Sequence, residues 1–432
     1  MMICEIKKRK NFLIAILFIS IIFISKIVYS NIRTKKWRED IQYVATTLNK
    51  NHPNLYENTS KEKFNNSIEK LKKDVPNLKQ YEIELRIQEI LSTLRDGHTK
   101  IDTPKLAEEI YPLRLIWFKD KLIAIEAEDK YKDVLGKELI KINDVPINDV
   151  LKEINKFPSY ENEQNLKVVN SNIILWYKVL KCYGITNSKN TTFTFKDNDK
   201  KQNINMYPIR NLKDEKLAKL RDFAPKKPVR IEYDPKRDDI NYWYRYIKED
   251  KILYLQDNSA TQGIVIKNNK IVKDGFQELK DKIQKTVESE KIDKFIIDVR
   301  YNRGGSFKGS EILYENLKPY LSNAKTFIFT GPATFSAPII ETVNLKLKYP
   351  NKIISLGEEP GQSIKFYSRE VFKLPNSKLI LSCSVALIDM TKSNVTIPDV
   401  YIQETIEDFK NGIDPLYEWV KKYDGKSPLT IR

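Results

Sequence analysis

Two histidines, His52 and His98, are the whole imidazole inventory of this 432-residue chain. A neutral imidazole, with an ordinary pKa of about 6.5, suits the removal of a hydroxyl proton at neutral pH. His98 lies in Arg95-Asp96-Gly97-His98-Thr99, and His52 in Asn51-His52-Pro53-Asn54-Leu55-Tyr56 before a proline. His52 is expected to be structural. A serine able to use an imidazole occurs in Ala333-Thr334-Phe335-Ser336-Ala337-Pro338, after the breaker Gly331-Pro332 and at the start of a helical pattern. Such a serine is ordinarily an N-cap. The same place, however, sets its Oγ beside free backbone N–H groups that can hold an oxyanion. A third segment, Asp298-Val299-Arg300-Tyr301-Asn302-Arg303-Gly304-Gly305, ends an apolar strand in two glycines. Without Cβ atoms, backbone N–H groups there can approach a ligand closely. Of the three cysteines, Cys182 and Cys383 are far apart in sequence and have no metal spacing. They read as two buried thiols or as one disulfide. No metal and no cofactor is expected.

The elements that must position these groups follow from periodicity. From Trp37 to Thr99 apolar residues recur at three- and four-residue steps, as in Ile41, Val44, Leu48 and Phe64, Ile68, Leu71, with Pro53 and Pro76 as breaks. That predicts two or three helices, the last running into the Asp-Gly-His segment. After Pro104 the period becomes two, predicting strands at Leu113–Phe118, Leu122–Ile125 and Leu135–Asp144, a helix at Ile147–Ile154 and further strands over 190–206. Residues 208–240 are rich in Lys, Arg, Pro and Asp and read as a linker. Beyond Tyr242, strands at 252–255, 295–299, 326–329 and 352–355 alternate with helices at 276–288, 310–317 and 337–348. This alternation predicts a layered α/β domain.

Lys7, Lys8, Arg9 and Lys10 precede an uncharged run from Phe12 to Ser25, and Val28-Tyr29-Ser30 could be cleaved. Residues 1–30 are therefore expected to be a signal peptide, or an anchor through residues 12–30, making the protein exported and extracellular or envelope-associated. The formal net charge of +17 is spread along the chain without a zinc-knuckle or helix-turn-helix pattern, so no nucleic-acid partner is expected. With 41% hydrophobic and 31% charged residues, the composition excludes a polytopic membrane protein and a low-complexity fibre.

As an ordered set, Asp-Gly-His-Thr, Asp-x-Arg-x-Asn-x-Gly-Gly and Thr-Phe-Ser-Ala resemble the tail-specific, or C-terminal processing, serine peptidases. Leu356-Gly357-Glu358-Glu359-Pro360-Gly361 resembles that family's Gly-Glu turn, Leu374 to Leu379 its next strand, and Ile397-Pro398-Asp399-Val400 its late Pro-Asp motif. Asn51 to Tyr56 is similar to the N-terminal helical segment of bacterial members. The likeness spans roughly residues 40 to 420. It implies an α/β (α+β multidomain) fold: a helical region at 31–103, a PDZ-like β-rich module at 104–207, and a crotonase-like ββα core at 241–432. It also implies a polypeptide substrate. Carried over, Ser336 is the nucleophile, and the oxyanion hole comes from the N–H groups of Ala337 and of Gly304 or Gly305. Many members pair the serine with a lysine, but that stretch here holds Gln362, whose amide cannot act as a base, and the nearest lysine is Lys365. A branch that includes the tricorn core peptidase uses a histidine, which implies His98 as the base. Asp96, Asp399 and Glu341 are the candidate orienting carboxylates. The competing reading is a catalytically inactive exported homologue that binds peptides. An acyl-CoA enzyme of the same layered core fits poorly with export.

Overall fold

The computed structural model describes residues 28–210, 216–230, 242–259, 264–267, 270–305, 317, 324–362, 365–388 and 397–425. The Phe12–Ser25 run, most of the helix expected at 310–317, and parts of the 208–240 segment lie outside the described residues. Among the described residues no helix is long and apolar enough to cross a membrane.

The chain begins with helices α1 (residues 28–51), α2 (Lys61–Asp74) and α3 (Gln80–Ser92). Ser60 caps α2 by accepting from the Lys63 N–H, and the predicted Phe64, Ile68 and Leu71 stripe is buried. After a short strand, β1 (Lys100–Ile101), come β2 (Leu113–Phe118), β3 (Lys121–Glu128), β4 (Glu138–Ile142), β5 (Val145–Pro146), α4 (Ile147–Ile154), α5 (Glu163–Ile173), α6 (Tyr177–Cys182), β6 (Thr191–Asp197), β7 (Lys200–Met206) and β8 (Leu217–Lys219). Strands β2 to β8 form one sheet with the path β2-β3-β4-β6-β7, where β5 joins β4 and β8 joins β3. The segment expected to be a linker therefore contributes a strand, paired through Ala218 with Ala127.

The remaining elements are β9 (Tyr242–Ile247), β10 (Ile252–Asp257), β11 (Ile264–Lys267), β12 (Lys270–Asp274), α7 (Gly275–Ser289), β13 (Lys294–Asp298), β14 (Lys325–Thr330), α8 (Ala337–Lys348), β15 (Ile353–Gly357), β16 (Phe366–Lys373), β17 (Ile380–Leu387), β18 (Val400–Tyr401), α9 (Ile406–Asn411) and α10 (Pro415–Lys422). Six of them make a sheet ordered β18-β15-β14-β13-β10-β9, parallel except for β9. Its central strands carry buried apolar runs such as Phe295–Ile297 and Phe327–Phe329 because both faces are covered. Phe295 and Ile297 share a core with Leu279 and Leu345, while Ile296 and Phe327 share another with Leu416 and Val420. The carboxyl ends of β13, β14 and β15 lie side by side, the place where open α/β sheets bind ligands.

The segment Leu374 to Leu379, expected to be a strand, is instead the turn of the β16–β17 hairpin, closed by Leu374 N–H to Leu379 C=O at 2.9 Å. The hairpin does not stay with the six-stranded sheet. Strand β17 pairs with β1, and Leu374, Leu379, Leu381 and Cys383 complete the core of the N-terminal helices. Cys383 is buried there, and Cys182 and Cys383 are both free thiols.

Candidate active site

Each strand end delivers one part of the site. The loop after β13 is locked by charge: Arg300 Nη2 lies 2.7 Å from Asp298 Oδ2 and 2.6 Å from Asp414 Oδ2. Burial disfavours the guanidinium charge, but the two carboxylates outweigh it and raise the Arg300 pKa well above its usual value. The loop then brings Gly304, at φ +89°, against the serine; a Cβ there would sit 2.7 Å from Ser336 Cβ and 2.8 Å from the Phe335 carbonyl oxygen. Only glycine fits that approach. Its N–H, however, donates to Asn302 Oδ1 at 2.9 Å. The amide expected of Gly304 as an oxyanion donor is thus already used. Among the described residues the N–H groups of Gly305 and Ala337 meet no acceptor, and both residues line the cleft.

After β14 the chain turns sharply into α8. Thr334 ties this turn together: its Oγ donates to Val299 C=O at 2.9 Å and accepts from Gly331 N–H at 3.0 Å. At the turn Ser336 adopts φ +67° and ψ −124°, a conformation costly for any residue with a Cβ. It is not an ordinary N-cap, since its side chain caps no helix N–H. Half-buried, it points its Oγ to 3.0 Å from His98 Nε2, across 238 residues of sequence.

His98 is fixed by the loop from α3 into β1. Asp96 Oδ1 accepts the His98 backbone N–H at 2.9 Å, while Asp96 Oδ2 accepts from Thr99 Oγ and pairs with His52 Nε2 at 3.1 Å. Asp96 therefore shapes the loop, and its charge reaches the imidazole from nearby while its hydrogen bonds go to other groups. Burial raises its pKa, but the bonds from His52 and Thr99, with the charge of His98, outweigh this and leave it below the usual value. Phe335 packs on the His98 ring, centroids 4.8 Å apart, and Gly97 leaves room for that phenyl group, whose Cζ a Cβ would meet at 2.8 Å. Burial drives the His98 pKa down to about 4; Asp96 opposes the shift, and Lys100 and Arg369 add to it. The imidazole is thus neutral at physiological pH.

Of the other two candidate orienting carboxylates, Asp399 is committed to β15 and Glu341 sits on the helix that follows the serine. Asp399 accepts from Lys346 Nζ at 3.0 Å and from Ser355 N–H at 2.8 Å, pinning the start of β15. Glu341 is buried on α8. The group that faces His98 Nδ1 is Glu161, at 3.9 Å, in the loop between α4 and α5, with a side chain only 2% exposed. Sequence reading missed it. Between them stands Gln362: its Oε1 accepts Ser336 N–H at 2.8 Å, and its Nε2 donates to Glu161 Oε1 at 3.0 Å and to Phe366 C=O at 2.7 Å. Those two acceptors fix which end of the amide is nitrogen. Lys365 is spent elsewhere, in an ion pair with Glu57. Asp96, His98 and Glu161 bring one ligand atom each within 4.8 Å of one another. A cation could use that spacing, but hydrogen bonds within the protein engage Asp96 and His98 Nε2.

No family model matches the sequence, and no curated protein is significantly similar to it. Solved structures are similar in fold. Mature CPAF in complex with lactacystin superposes with a TM-score of 0.63 at 11% identity, covering 90% of this chain and 98% of that one. Mature CPAF alone gives 0.60 at 12% identity, covering 90% and 97%. A weaker likeness, TM-score 0.38 at 10% identity, runs to the photosystem II D1 C-terminal processing protease, covering 85% and 92%. Over nine-tenths of its length, then, this chain has the fold of CPAF.

Proposed function

We propose that the protein is an exported serine peptidase, with Ser336 as nucleophile, His98 as general base and Glu161 as the carboxylate that orients the imidazole. The observation that carries the reading is the 3.0 Å contact between His98 Nε2 and Ser336 Oγ, made at a strained strand-to-helix elbow. Ser336 Oγ adds to the scissile carbonyl carbon as His98 Nε2 takes its proton. The oxygen that becomes negative is met by the N–H groups of Gly305 and Ala337. His98 then gives the proton to the departing amine, the C–N bond breaks, and an ester on Ser336 remains. Water, deprotonated by His98, hydrolyses the ester and frees the serine. Glu161 stabilises the imidazolium that forms twice in each cycle. Across 3.9 Å it acts on Nδ1 through its charge, in a buried setting where such an interaction is little screened.

The module at 104–207 contributes a peptide groove in this reading. Strand β2 is the edge of its sheet, and its residues Leu113 to Phe118 line a cavity of about 440 Å³ together with Val168, Leu175 and Phe409. An extended segment of substrate can add to such an edge through main-chain hydrogen bonds.

A fluorophosphonate probe followed by peptide mapping tests the peptidase reading. Labelling of Ser336, lost in Ser336→Ala and strongly slowed in His98→Ala, is expected. A folded wild-type protein that stays unlabelled would identify the inactive peptide-binding homologue instead. Cell fractionation with N-terminal sequencing tests export; intact chain in the cytosol would refute it.

A further inference from the structure

The catalytic cleft, about 1240 Å³, is unevenly charged. Lys100, Arg303 and Arg369 line it together with His98 and Ser336, against one lining carboxylate among the described residues, Asp102. Two of these cations are set by strand register. Lys100 pairs with Ser382 and Arg369 with Ser384, and since Ser382 and Ser384 are two apart on β17, both cations stand on one face of the small sheet. Neither makes an ion pair among the described residues. Like charges held together are unfavourable, more so beside low-dielectric protein, and Asp102 offsets those of Lys100 and its neighbours only in part. Lys100 feels this: although it reaches solvent, burial lowers its pKa, Arg303 and Arg369 lower it further, and Asp102 opposes the shift. An anion arriving in the cleft would relieve that repulsion. Beyond the cations the wall is apolar, with Phe157, Val169 and Trp176.

We propose that Lys100 and Arg369 select peptides that place a carboxylate, from an acidic side chain or from the chain end, beside the scissile bond. This rests on the peptidase reading and names its substrate class. Salt should weaken the preference, since the cations are reached from solvent.

Binding to the non-cleaving Ser336→Ala protein provides the test, because it does not require turnover. Three fluorescein-labelled dodecapeptides of one backbone sequence are compared by anisotropy. One carries central Glu residues and a C-terminal amide, one carries Gln and a free C-terminal carboxylate, and one carries Gln and an amide. Tighter binding of the first assigns the carboxylate to a side chain, and tighter binding of the second assigns it to the chain end. The expected preference over the neutral peptide is roughly 10- to 100-fold, the scale of hydrogen bonds to a charged group. Arg369→Gln, on the exposed strand β16, should remove most of it without unfolding the protein, and Lys100→Gln should act in the same direction. Equal binding of the three peptides, no binding of any, or a preference unchanged in the Lys100→Gln, Arg369→Gln double variant would overturn the proposal. Failure of the peptidase reading looks different: a wild-type protein that binds the carboxylate peptide tenfold tighter yet cleaves none of the three.

Discussion

The acid limb of the pH–rate profile is the sharpest consequence of the buried imidazole. From the motif alone, kcat/KM should rise through an apparent pKa of about 6 to 7.5. In the structure, burial and the Lys100 and Arg369 charges bring His98 down to about 4. At pH 5.5 a base of pKa about 4 is roughly 97% neutral, whereas one of about 6.5 is roughly 9% neutral. The two cases therefore differ about tenfold in rate at that single pH. Initial rates on a fluorescence-quenched peptide, measured from pH 3.5 to 9 with far-UV circular dichroism at each point, separate them. The folded state must survive the measurement. His98 is neutral in the fold while the unfolded chain takes up a proton between about pH 6.5 and 4, so stability is fully present above about 6.5 and falls through that window. The loss from this one group is roughly 3 kcal/mol. Lys100→Gln and Arg369→Gln should each move the rate limb upward, because each removes a charge that opposes protonation. A limb at 6 to 7.5 in the wild type would refute the argument from burial, and activity still climbing above pH 8 would refute histidine as the base.

Other substitutions report on separate parts of the site. Glu161→Gln should lower kcat by roughly 100-fold or more while leaving Ser336 in place, since the imidazolium loses its carboxylate; stopped turnover assays measure it, and an unchanged kcat would exclude Glu161. Gly304→Ala should abolish turnover through the Cβ contact with Ser336 at 2.7 Å, and Gly305→Val should cost roughly 100-fold, because valine disfavours the φ of +149° and so moves the donor N–H out of place. Lys365→Ala should keep near-normal kcat, because the lysine is paired with Glu57. Arg300→Met should unfold the protein more easily by roughly 3–5 kcal/mol in urea titrations, since it leaves the buried Asp298 without its cation and Asp414 with Arg230 alone.

How far the sequence speaks depends on whether a residue's role is local. The predicted helices Ile147–Ile154 and Ala337–Lys348 appear with those bounds because their apolar periodicity and flanking breakers are local signals. His98 and Ser336 stand out by motif. Glu161 does not: it lies in an aperiodic loop, and the imidazole it faces is 63 positions earlier in the chain. Gln362 reads as a missing lysine, since nothing linear shows that both ends of its amide are used, one by the serine and one by the glutamate. The depth of burial that sets the His98 proton affinity is likewise a property of packing. The β16–β17 hairpin escapes sequence reading for the same reason, because its partner strand β1 lies some 280 residues away.

That hairpin gives the protein a temporal order. The segment bearing His98 emerges from the ribosome early, with its β1 edge unpaired and the core of its helices lacking Leu374, Leu379 and Leu381. Nothing can hold the imidazole against Ser336 until residues beyond β17 have been made and have folded back. On the proposed reading, a nascent or truncated chain has no assembled Ser336–His98 pair, and hydrolytic capacity arises in one late event, when the last third of the polypeptide docks on the first.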